Sequence, residues 1–125
     1  MTDVGVQAIL GPAFSGITIE TATNITIPAG VLTISASATN PSITSLPDDG
    51  LVWRTCPSDA IQAIPLAGLV TSLETQVRAE QGLMAADQIR VAMAVKGDAY
   101  GTGLADVVTP LLTFNGKGAS DNGEN

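Results

Sequence analysis

Apolar and polar positions alternate through the first half of the chain. Ile17 and Ile19 enclose Thr18, Ile25 and Ile27 enclose Thr26, and Leu32 and Ile34 enclose Thr33, the period of two that a half-buried strand requires. Ile and Thr are β-branched and favour the extended backbone. Turn-forming clusters separate the runs: Pro28-Ala29-Gly30, Asn40-Pro41 and Pro47-Asp48-Asp49-Gly50. The pattern predicts strands near 4–9, 16–20, 24–28, 31–37, 43–46 and 51–55, at the spacing of a small antiparallel β sandwich or barrel layer.

At Thr55-Cys56-Pro57-Ser58-Asp59 the period changes, with Pro, Ser and Asp placed as in a first helical turn. A short helix is expected to about Ile64. Pro65 then breaks it or opens a second helix over about 66–81, whose Leu66, Leu69, Val70, Leu73 and Val77 share one face and whose end is Gly82. This amphipathic helix is expected to cover the sheet of the first half. In 88–96, Ile89, Val91, Met93 and Val95 alternate with Arg90, Ala92, Ala94 and Lys96, which favours a further strand over a helix. Gly97 to Gly103 reads as a flexible loop, and Leu104 to Phe114 as a short helix or a last strand interrupted by Pro110. The expected fold class is α+β, in one domain over 1–125 with an extended N-terminal segment (1–10) and a polar C-terminal tail (116–125).

Charge narrows the function. Twelve acidic residues against five basic ones give a net charge of −7, and there is no His. Triads that need an imidazole are excluded, as are His-ligated metals. An acidic chain without a basic stripe does not favour nucleic acid, and no run is apolar and long enough to suggest a membrane span. Met-Thr-Asp-Val-Gly lacks the basic start of a signal peptide, which predicts a protein made in the cytoplasm. Only 14% of residues are charged. A surface so poor in charge suits either an uncharged monomer or a subunit covered by neighbours, since packed interface centres exclude charge.

Candidate chemistry is sparse, and the expectation is no enzyme and no cofactor. Cys56 stands at a predicted helix start, but without a His base it reads as a small buried apolar group. Asp98 to Asp106 partly mimics a calcium loop, yet Tyr100 takes its third position and Thr109 its twelfth, where a bidentate Glu belongs. Asp48 and Asp49 are adjacent carboxylates in a turn, with turn formation as their expected task. Of the four aromatic residues, Trp53 reads as core.

The stretch Asn24-Ile25-Thr26-Ile27-Pro28-Ala29-Gly30-Val31-Leu32-Thr33-Ile34-Ser35-Ala36 resembles the strand–Pro-Ala-Gly–strand hairpins of small virion proteins of tailed bacteriophages, in particular capsid decoration (cement) proteins. The resemblance implies a non-catalytic subunit of the virion, made in the host cytoplasm, homo-oligomeric and binding the major capsid protein or other virion proteins. Its expected interface is Val4, Val6, Phe14, Phe114, Asn115 and Lys117. The alternative is a receptor- or glycan-binding module of a phage tail or adhesin, which exposed Trp53 and Tyr100 sharing a pocket would favour.

Overall fold

The computed structural model describes residues 5–123, so Val4 lies outside the described residues. The fold is a small mixture of helices and strands, and the α+β expectation holds at that coarse level. Its main sheet has three strands in the order β1 (Ala8–Leu10), β2 (Leu32–Ser35), β3 (Val52–Arg54), and both pairings are parallel. Ala8 pairs with Leu32 and Leu10 with Ile34, while Thr33 pairs with Val52 and Ser35 with Arg54. The antiparallel sandwich or barrel is thus corrected: parallel neighbours need crossovers, and these occupy the segments read as strands.

Residues 15–26 form the first crossover, as helix α1 (Ser15–Thr21) continued by a π-helical turn over Ala22–Thr26. Ser15, Thr18, Ala22 and Thr26 are buried, at helical spacing, whereas Ile17 and Ile25 are exposed. The strands predicted at 16–20 and 24–28 followed the apolar side chains, but the buried stripe is made of small and hydroxyl residues. Those hydroxyls are paired as they must be in an interior. Thr33 donates to Thr26 Oγ1 at 2.7 Å, and Ser35 donates to the Pro12 carbonyl at 2.6 Å. Thr18 donates to the carbonyls of Phe14 (2.9 Å) and Pro12 (3.1 Å), which together with Ser35 fixes the turn after β1. The segment predicted as a strand at 43–46 falls in a 3₁₀ helix, Pro41–Ser45.

Helix α2 (Asp59–Gln81) is one continuous helix, longer than the predicted 66–81 and not broken at Pro65. Pro65 is exposed, on the side of the helix away from its buried Ala63 and Ala67. Ser58 caps the start by accepting from the Ala60 amide, and Gly82 ends it at φ 65°. Its buried residues are Asp59, Ala63 and Ala67; Leu69 and Leu73 are 52% and 48% exposed. The helix does not cover the sheet. It packs on α3 (Ala99–Val108), where Ala63, Ala67, Val108 and Leu112 form the apolar core with Leu66, Val70, Leu104 and Val107 around them.

Residues 88–96 have no sheet partner among the described residues, so the predicted strand is not formed. Gly97 to Gly103, read as a loop, includes the start of α3. After a 3₁₀ turn at Thr109–Leu111, β4 (Thr113–Phe114) and β5 (Lys117–Gly118) pair antiparallel around Asn115-Gly116, both at positive φ. Asn-Gly suits that two-residue turn. The segment read as a polar tail therefore begins with a hairpin.

Candidate functional site

A cavity of about 620 Å³ opens beyond the carboxyl ends of β1 and β2. The turn after β1 supplies Ala13, Phe14, Ser15 and Ile17, Ser37 follows β2, and Lys96, Asp98 and Tyr100 come from the entry to α3. Its size matches small-molecule sites, and open sheets with parallel strands bind ligands at this end.

Asn40 ties the three walls together. Its amide donates to Ser15 Oγ at 3.2 Å, and its side-chain nitrogen donates to the Ala99 carbonyl. Its side-chain oxygen accepts from the Ser42 amide at 2.8 Å, and its carbonyl accepts from Arg54 Nη1 at 2.8 Å. One residue thus joins α1, the loop after β2, β3 and α3. The sequence showed Asn40-Pro41 only as a turn signal.

The wall at α3 is built on Asp98. Its carboxylate caps the helix by accepting from the Gly101 amide at 2.9 Å and pairs with Lys96 Nζ at 2.6 Å. These contacts, the Gly101 amide first, hold the Asp98 pKa below its ordinary value. Two glycines permit the approach of this wall. A Cβ at Gly101 would overlap the Lys96 carbonyl, and one at Gly103 would overlap the Asn40 side chain. The calcium-like spacing is therefore helix capping and close packing, and no cluster of three metal-ligating side chains exists among the described residues.

The remaining sequence candidates are scattered. Phe14 lines the cavity and is 69% exposed; Val6 is half-buried ahead of β1. Phe114 and Lys117 belong to the β4–β5 hairpin, far along the chain from the cavity segments. Asn115 is bound within the molecule: its side-chain oxygen accepts from Arg78 (2.8 Å) and the Ile89 amide (2.9 Å), and its own amide donates to Glu74 (2.9 Å). Trp53, expected in the core, is 60% exposed and donates to the Gly50 carbonyl at 2.7 Å; unlike Tyr100 it does not line the cavity. Cys56 Sγ faces the Ala38 carbonyl at 3.5 Å. Asp48 fixes its turn, as expected, by accepting from the Val52 amide at 2.7 Å.

Asp59 was not singled out by the sequence beyond its place at a helix start. It is fully buried, and neither carboxylate oxygen has a hydrogen-bond partner among the described residues. Burial raises its pKa, opposed by the Thr39 hydroxyl and the Arg54 charge.

Comparison with known proteins places this architecture. No protein-family model matches the chain, and no curated protein matches it. Among solved structures, an ABC transporter substrate-binding protein from Desulfitobacterium hafniense in complex with Leu superposes with a TM-score of 0.58 at 29% identity, over 94% of this chain. A second structure of an ABC transporter substrate-binding protein from that organism gives 0.58 at 30% identity over 95%. The chain spans 29% of the length of each. These likenesses overturn the resemblance to capsid decoration proteins, and with it the virion function and location, the capsid partners and the tail or adhesin alternative. The Pro-Ala-Gly turn here joins the π-helical turn at Ala22–Thr26 to β2, so it closes a helix–strand crossover and not a hairpin. The non-catalytic expectation agrees with neighbours whose names describe binding of a substrate for transport.

Proposed function

We propose that the chain supplies one wall of the ligand cleft of a substrate-binding protein that captures a small organic molecule outside the cytoplasmic membrane and delivers it to an ABC transporter permease. The observation that carries this reading is the cavity beyond the carboxyl ends of β1 and β2, in a chain that matches substrate-binding proteins over nearly its whole length. The walls suit such a ligand. Phe14, Ile17 and Tyr100 offer apolar surface, and Ser15, Lys96 and the Tyr100 hydroxyl offer donors. The chain acts by binding, as one unit held together by Asn40.

A titration of the 125-residue chain with a panel of amino acids and small carboxylates, leucine included, followed by NMR, tests the reading. Saturable shifts at residues 13–17, 37 and 96–100 are expected, with Tyr100→Ala weakening binding at least about tenfold through loss of an aromatic wall. Shifts absent from these residues for every compound would overturn it.

A further inference from the structure

The cavity carries two formal charges, and they are not equally available. Both Asp98 oxygens are engaged, one by the Gly101 amide that starts α3 and one by Lys96. The Lys96 ammonium has three N–H donors and pairs with Asp98 alone among the described residues; its side chain is 68% exposed. It also stands 6.0 Å from the centre of the Phe14 ring, the most exposed apolar group of the cavity wall. The unused capacity of the site is thus cationic and lies beside an aromatic surface. The Tyr100 hydroxyl adds a donor without a partner among the described residues. We propose that Lys96 makes the cavity selective for anions with an apolar body, the carboxylate of the ligand meeting Lys96 while the body covers Phe14 and Ile17.

This inference rests on the binding reading above, and the test separates the two. The probes are 4-methylpentanoate and 4-methylpentanamide, which share one apolar body and differ in charge. The expected result is at least tenfold tighter binding of the carboxylate, a preference that weakens with added salt. In Lys96→Gln the preference falls to near one, and Lys96→Arg retains it. Equal binding of the two probes to the unaltered chain, or a preference that persists in Lys96→Gln, would overturn the role of Lys96 and leave the binding reading standing. Failure of both probes, leucine and the rest of the panel to bind would overturn both.

Discussion

Asp59 is the residue whose chemistry departs most from its sequence reading. A Ser-Asp pair at a helix start reads as capping, and Ser58 does cap; the Asp59 carboxyl instead lies fully buried without a hydrogen bond. Because burial raises its folded pKa, the protonated form favours the native state. The stability it contributes is full below the ordinary carboxylate value and is lost as pH rises through the raised one. Asp59→Asn should therefore raise the melting temperature at pH 7 and flatten its fall as pH rises above the ordinary carboxylate value, read by circular dichroism. Asp98 has the opposite sign. Its pKa is lowered, so its contribution persists above the ordinary value and disappears only in stronger acid. The two residues thus act in different pH windows.

Among the elements, α2 shows why apolar periodicity was a partial guide. Its existence and its end at Gly82 were legible, because capping chemistry and positive φ need particular residues. Its buried face was not, since Leu69 and Leu73 point to water and Ala63 and Ala67 meet α3. Ala67→Glu should abolish cooperative folding by placing an unpaired carboxylate beside Val108 and Leu112, a cost of several kcal/mol. Leu69→Asp should leave the melting temperature within a few degrees. Helical glycines give a second contrast. Gly101→Ala should destabilise by about 1–3 kcal/mol, because its Cβ overlaps the Lys96 carbonyl, whereas Gly68→Ala enters open space and should stabilise by up to about 1 kcal/mol. Denaturant melts of both variants check the opposite signs.

On the scale of the whole molecule, several large apolar side chains face outward, Leu10 at 87% exposure among them. The apolar core, around Ala63, Ala67, Val108 and Leu112, is small beside this outward apolar surface. Reading Ile and Leu as core was therefore least reliable here. The strand positions at β2 and β3 were legible because they lie between strong turn signals. The parallel pairing was not, because crossovers made of Thr, Ser and Ala imitate strands, and the cavity depends on that pairing.

The layer of Thr18, Thr26, Thr33 and Ser35 between sheet and α1 has a thermal consequence. Unfolding exposes hydroxyl and amide surface there, whose hydration lowers heat capacity, where an ordinary core would expose aliphatic surface that raises it. Scanning calorimetry should then give a heat-capacity increment below the usual ~12–15 cal/mol/K per residue. The stability of this chain would curve little with temperature, so that cooling neither strengthens nor weakens it as steeply as it does a domain filled with leucine and phenylalanine.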